Sequence, residues 1–134
     1  MVGRRSLWLC IPLFTLASAD VGMTLSSQPY SYWQGDRTAV HEVNPLGRWL
    51  LHIHPLAFGL CVPVEAAMVG ILLLAWPTRL CSRFVLALAW LHALGAASWL
   101  AHFGPIGCVY AFFFLGVAIY FVGLFWRFEA PVRT

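Results

Sequence analysis

The sequence predicts an all-α protein, a bundle of four membrane-spanning helices. Of its 134 residues, 61% are hydrophobic and 10% are charged, and a soluble domain of this length could not cover so apolar a composition with polar groups. Four apolar stretches are each long enough to cross a bilayer, which takes about 20 helical residues. We therefore expect one membrane domain over 1–134 with the lipid bilayer as its partner, and no soluble catalytic domain or nucleic-acid-binding patch.

The first predicted span covers 7–25. It begins after Arg4 and Arg5, and the small residues of 17–19 also fit the cleavage site of a secretory signal. Apolar residues continue past Asp20 and complete a span, so we expect a retained helix rather than a cleaved signal. In both cases the chain that follows starts on the outer side of the membrane.

The second span follows a long polar connection. Asn44 is a good helix cap, and Pro45 fits the first helical turn because its missing N–H leaves no bond unmade there. The helical pattern that starts here is too long for one crossing. Pro55 divides it into a short interfacial helix, 45–54, and a span, 55–76.

The third and fourth spans are predicted at 80–103 and 106–126. Pro77 separates the third span from the second, and the pair 104–105, glycine followed by proline, predicts a tight turn before the fourth. Gly116 and Gly123 lie on one face of the fourth helix and would admit a close neighbour. This face is our candidate contact with a second copy of the chain or with another membrane protein.

The arginines predict the orientation. Two of the eight, Arg37 and Arg48, lie in the polar connection, and six lie at the opposite ends of the spans: Arg4, Arg5, Arg79, Arg83, Arg127 and Arg133. Positive charge concentrates on the cytoplasmic side of membrane proteins. We therefore expect a multi-pass protein of the inner (cytoplasmic) membrane with both termini in the cytoplasm.

Several polar residues are predicted to meet near the outer ends of the helices. Asp20 and Thr24 share one face of the first helix, since they are four residues apart. Carboxylate and imidazole groups suit zinc, manganese or iron, so one hypothesis is a divalent-metal site with four ligands: Asp20, Glu42, His54 and His102. A hydrogen-bond network that ties the connection to the helices, with Asn44 as a cap, fits the same residues.

Glu65 and His92 fall near the middle of the second and third spans. No arginine lies at that depth, so Glu65 must be protonated or paired, and His92 is its obvious partner. The pair could be structural, or it could form a proton relay that leads to the outer polar residues. The relay makes Glu65 and His92 the candidate catalytic residues.

Two short motifs carry a resemblance. The segment 20–24, with Asp20 and Thr24, and the segment 42–46, with Glu42, Asn44 and Pro45, resemble the D-x-x-x-T and E-x-N-P-L signatures of a family of small prokaryotic membrane proteins of unknown function. The resemblance covers roughly 19–76. It implies several membrane helices and draws attention to the motif residues, but it implies no activity.

Three classes of function stay open. The first is a non-enzymatic membrane protein that binds a cation or exchanges protons. The second is an intramembrane metal-dependent hydrolase acting on a lipid or peptide, although the serine-hydrolase and zinc-protease motifs G-x-S-x-G and H-E-x-x-H are missing. The third is a haem-binding protein in which His54 and His102 ligate the iron.

Overall fold

Four long apolar helices make up most of the protein, which confirms the predicted all-α fold class. The computed structural model describes residues 7–76 and 79–129, so Arg4, Arg5, Pro77 and Arg133 lie outside the described residues. The helices long and apolar enough to cross a membrane are Leu7–Ser26, Pro55–Ala75, Arg79–Ala101 and Gly104–Trp126, here called the first to fourth spans. They indicate a multi-pass membrane protein. Their bounds differ from the predicted ones by at most about two residues.

One end of the bundle is here called the loop end. The first span ends there at Ser26, the second begins at Pro55, the third ends at Ala101 and the fourth begins at Gly104. Gly104 has φ +76° at the turn into the fourth span, a conformation that glycine adopts without strain. The predicted glycine–proline turn is therefore present.

A connecting segment of short helices covers residues between the first and second spans. It contains helical turns at Tyr30–Trp33 and Arg37–Ala39, followed by the connecting helix, Pro45–Ile53. The Asn44 side chain accepts hydrogen bonds from the Leu46 and Gly47 amides, at 3.0 and 3.4 Å. Asn44 is therefore the predicted cap, with Pro45 in the first turn.

Two prolines break the helical path into the second span. His54, which precedes Pro55, is extended with φ −171° and ψ 144°, because a residue before proline is pushed out of the helical region. The helix that restarts at Pro55 is interrupted again between Gly59 and Cys61. Pro63 explains this second break, since it lacks the N–H that would bond the Gly59 carbonyl.

Two buried side chains fix the connecting segment: Tyr32 joins two of its parts, and Gln28 joins it to the end of the first span. Tyr32 is fully buried, and its hydroxyl donates to the Leu51 carbonyl at 2.9 Å. In a continuous helix that carbonyl would accept from residue 55, which is a proline without an N–H, so the hydroxyl replaces the missing donor. Gln28 donates to the Thr24 and His41 carbonyls and accepts from the His41 amide.

The first and third spans pack closely along each other, and the third also packs along the fourth. Small residues allow this contact, since Ala89, Ala93 and Ala96 in the third span are fully buried. The second span packs mainly on the first and makes few direct contacts with the third. This arrangement leaves a gap between the second and third spans toward the loop end.

The fourth span presents much of its surface outward. Large apolar residues such as Phe112, Phe113 and Tyr120 are exposed, as expected for a helix that faces lipid. A Cβ atom added to Gly116 or Gly123 would meet no described atom within 4 Å. The predicted glycine face is therefore not used for a helix contact inside the described part of this chain.

Candidate functional site

Glu65 and His92 are in contact, as the sequence predicts. The His92 Nε2 atom lies 3.0 Å from Glu65 Oε2 and 3.3 Å from Oε1. Glu65 comes from the second span and His92 from the third, so this pair bridges the gap between two helices that otherwise touch little.

A third side chain completes the site. Asp20 of the first span places Oδ2 at 2.9 Å from His92 Nδ1, the ring nitrogen that Glu65 leaves free. One imidazole thus lies between two carboxylates from two other helices. We call Asp20, His92 and Glu65 the triad.

Gly95 makes room for the triad. A Cβ atom at this position would lie 2.5 Å from Asp20 Oδ1 and 2.8 Å from Asp20 Cγ, closer than non-bonded atoms can approach. Gly95 follows His92 by about one helical turn, so both face the first span. The missing side chain lets the Asp20 carboxylate lie against the third span and reach His92.

The two contacts of the His92 ring fix how many hydrogens the triad holds. Each N···O contact needs one hydrogen, and a neutral imidazole carries only one N–H. The triad therefore holds one proton more than two carboxylates and a neutral imidazole would. Its net charge with both hydrogen bonds made is −1, and one further proton would make it neutral.

The triad lies well inside the span helices. Asp20 is about six residues, or ~9 Å of helix, from the loop end, and Glu65 and His92 are about ten and nine residues from it, or ~14–15 Å. The bilayer core is roughly 30 Å thick. The triad would then occupy the half of the membrane nearer the loop end, with Glu65 close to the centre.

A cavity of about 700 Å³ leads to the triad from the loop end. It lies between the first, second and third spans and the connecting segment, and all three triad residues line it. The triad side chains are 22–25% exposed. The cavity is partly open, because His41, Leu46, Leu91 and His102 line it and are exposed.

Most residues that define the two sequence motifs line the same cavity. They are Asp20, Thr24, Glu42, Asn44 and Leu46, whereas Pro45 does not line it. Thr24 is 2% exposed and Glu42 is 9% exposed, and the Glu42 carboxylate accepts from the Asn44 amide at 2.7 Å. Asp20 and Thr24 thus face the interior, on the same cavity as Glu42 and Asn44. The polar partner of Asp20 is His92, a contact that sequence reasoning did not predict.

The four residues proposed as metal ligands do not form one group. Asp20, Glu42 and His102 line the cavity, but His54 does not. Because His54 leaves the helix before Pro55, it is exposed, and its Nδ1 atom accepts from the Leu56 amide at 3.1 Å. Within residues 7–76 and 79–129, no three His, Cys, Asp or Glu side chains are placed to hold a metal ion.

The histidines proposed as haem ligands are engaged in other bonds. His102 Nδ1 donates to the Ser98 carbonyl of its own helix at 2.8 Å, and the ring contacts those of Trp99 and His41, with centroids 5.6 and 6.4 Å apart. His54 lies outside the cavity that His102 lines. The two imidazoles therefore do not share a pocket in the described structure.

Comparisons with models of protein families, with curated proteins and with solved structures found no match to this chain. The resemblance carried by the D-x-x-x-T and E-x-N-P-L motifs therefore stays a prediction. What can be inferred about function comes from the triad and its cavity.

Proposed function

We propose that the protein is a non-enzymatic multi-pass membrane protein that binds and releases a proton at the triad. The observation that carries the proposal is one imidazole held between two carboxylates, at 2.9 and 3.0 Å, inside helices long enough to span a bilayer. Ionisable residues at such depth are costly, and they commonly mark ion or proton sites.

The proton step starts from the triad with both hydrogen bonds made, which has a net charge of −1. A net charge in a poorly polarisable surrounding is unfavourable, and no arginine of the described part of the chain lines the cavity to offset it. Taking up one proton from water on a carboxylate makes the triad neutral, and releasing it to water restores the charge. The cavity supplies the route between the triad and the aqueous phase.

The orientation part of the proposal places the loop end outside the cell. Arg79 and Arg83 are exposed at the opposite end of the third span, and the arginines at both chain ends fall on that same side by sequence. The positive-inside tendency then puts both termini in the cytoplasm of a cytoplasmic-membrane protein. The triad would exchange protons with the outer aqueous phase.

The geometry favours proton binding over hydrolysis. A histidine that acts as general base needs one ring nitrogen free for a nucleophile or a water molecule. In the triad, Asp20 occupies Nδ1 and Glu65 occupies Nε2. His92 is therefore arranged to hold a proton between carboxylates rather than to activate a nucleophile.

The proposal can be tested with dicyclohexylcarbodiimide, an apolar reagent that reacts with carboxyl groups in their protonated form. The carboxyl O–H adds across one C=N bond of the reagent, so that the acyl oxygen bonds carbon and the proton moves to nitrogen. Full-length protein in lipid nanodiscs would be labelled over a pH series, and the modified residue located by mass spectrometry. We expect labelling of Glu65 or Asp20 that increases as the pH falls.

Two variants make the test specific. His92→Gln removes the positive charge that a protonated imidazole places between the two carboxylates, so a carboxyl group should take up a proton more readily and labelling should extend to higher pH. His52→Gln is the matched control, since His52 is exposed on the connecting helix and does not line the cavity; its profile should equal that of the unsubstituted protein. Absence of labelling at every pH, or a His92→Gln profile equal to that of the control, would overturn the proposal.

A further inference from the structure

Three carboxyl groups line the cavity, and none of the described arginines does. Its titratable groups, from the first, second and third spans and the connecting segment, are Asp20, Cys61, Glu65, His92, His102, His41 and Glu42. Arg48 does not line the cavity but donates to the Glu42 carbonyl at 2.8 Å. No described residue of the fourth span lines it either. With the carboxylates ionised, Asp20, Glu65 and Glu42 outweigh one protonated imidazole at His92, so the cavity attracts cations and repels anions.

The walls of the cavity are largely apolar. Aliphatic and aromatic side chains surround the path to the triad: Leu46, Leu50, Phe58, Leu88, Leu91 and Trp99. A volume of about 700 Å³ falls in the range of small-molecule sites, which are typically apolar with a few placed polar groups. A hydrated inorganic ion would leave these walls unused, whereas an organic ion would cover them.

We propose that the cavity binds an amphiphilic organic monocation, such as a hydrophobic ammonium ion, with its charge at Asp20 and Glu65 and its apolar groups against the walls. This inference rests on the proposed proton-binding function of the same triad. Aromatic rings at Phe58 and Trp99 suit such a ligand, because a cation is attracted to an aromatic face and an apolar group packs against it.

The organic cation and a proton compete to neutralise the single negative charge of the triad. The triad at −1 becomes neutral either by taking up a proton or by binding the monocation. When the cation binds a triad that is already neutral, one proton leaves Asp20 or Glu65 for water, and the net charge at the site stays at zero. Binding should therefore weaken by about tenfold for each pH unit below the pH at which the triad takes up its proton.

The experiment uses tetraphenylphosphonium, a cation of fixed charge, and tetraphenylborate, an anion of nearly the same shape. Equilibrium binding of radiolabelled tetraphenylphosphonium to full-length protein in nanodiscs should be saturable and should weaken on acidification. It should also slow carbodiimide labelling of the triad. Tetraphenylborate should not displace the cation. Binding that does not saturate, that ignores pH, or that the anion displaces equally well would overturn the inference.

Matched variants test whether cation binding depends on a carboxylate of the triad or only on the net charge of the protein. Glu65→Gln should weaken binding of the cation at least tenfold. Asp36→Asn should not change it, because Asp36 is fully exposed and outside the cavity, with its carboxylate accepting bonds from Thr38 that lower its pKa. Equal binding by both variants would contradict the inference.

A cavity-filling variant separates this inference from the proposed function. Leu50→Trp places a larger side chain on the wall and leaves all triad residues in place. We expect it to lose tetraphenylphosphonium binding and to keep the pH profile of carbodiimide labelling. If the unsubstituted protein shows the labelling profile but binds no cation, the cation site alone is refuted. If the unsubstituted protein lacks the labelling profile, the proton site is refuted.

Discussion

Replacing Gly95 by alanine should break the triad without removing any ionisable group. The new methyl group would lie 2.5–2.8 Å from three atoms of the Asp20 carboxylate. The Asp20 side chain is short, and its Oδ2 atom is hydrogen-bonded to His92 Nδ1 at 2.9 Å. The carboxylate can therefore avoid the methyl group only by moving away from the imidazole.

The magnitude follows from two opposing effects. Alanine in place of glycine inside a helix ordinarily stabilises a protein by about 0.5–1 kcal/mol. Losing a hydrogen bond between charged groups costs about 1.5–3 kcal/mol, which outweighs the gain. We expect Gly95→Ala to lower the free energy of unfolding by about 1–2 kcal/mol.

The assay is reversible unfolding of full-length protein in mixed micelles with increasing sodium dodecyl sulfate, followed by circular dichroism. Gly22→Ala is the matched control, because a Cβ atom at Gly22 meets nothing within 4 Å; it should stabilise the protein by about 0.5–1 kcal/mol. In an Asp20→Ala background the clashing atoms are gone, so Gly95→Ala should stabilise as well. If Gly95→Ala stabilises the unsubstituted protein as Gly22→Ala does, the proposed position of Asp20 is refuted.

Two further predictions concern the connecting segment and the orientation. Tyr32→Phe should cost about 1–2 kcal/mol in the same unfolding assay, because it leaves the buried Leu51 carbonyl without its donor; Tyr30→Phe, at an 80% exposed position, should change stability by less than about 0.5 kcal/mol. Single cysteines at Gln34 and Thr134, in a background without the native cysteines, should react with an impermeant thiol reagent from opposite sides of the membrane. Labelling of both from one side would contradict the proposed topology.

Much of the fold was predictable because hydrophobic length is a strong signal. The four spans follow from apolar stretches that only a bilayer or a protein core can accept, and the cap at Asn44 follows from local chemistry. The break at Leu60 was missed, although Pro63 carries its cause three residues later. The proposal of His54 as a metal ligand failed for a related reason, since Pro55 forces His54 out of the helix and it does not line the cavity.

The triad was only partly predictable because pairing across helices depends on which helices are neighbours. Glu65 and His92 could be matched by their similar depth. Asp20 lies about one helical turn nearer the loop end and was assigned to the outer polar residues, although it also needs a polar partner inside its span. The informative signal was Gly95, one turn after His92, where a missing side chain admits a carboxylate from the adjacent helix. Sequence spacing could not show that the first and third spans pack closely along each other.

The most direct test of the proton site is whether Asp20, His92 and Glu65 titrate as one unit. Nuclear magnetic resonance of full-length protein in nanodiscs, with ¹³C-labelled carboxyl groups and ¹⁵N-labelled imidazole rings, would follow all three side chains over the same pH series, with exposed His52 as the internal reference. Groups that share protons show common macroscopic steps. We expect the three triad signals to change together at the same pH values, separately from His52. Three unrelated titrations, or a His92 ring that titrates as His52 does, would contradict the assignment of the triad as a shared proton site.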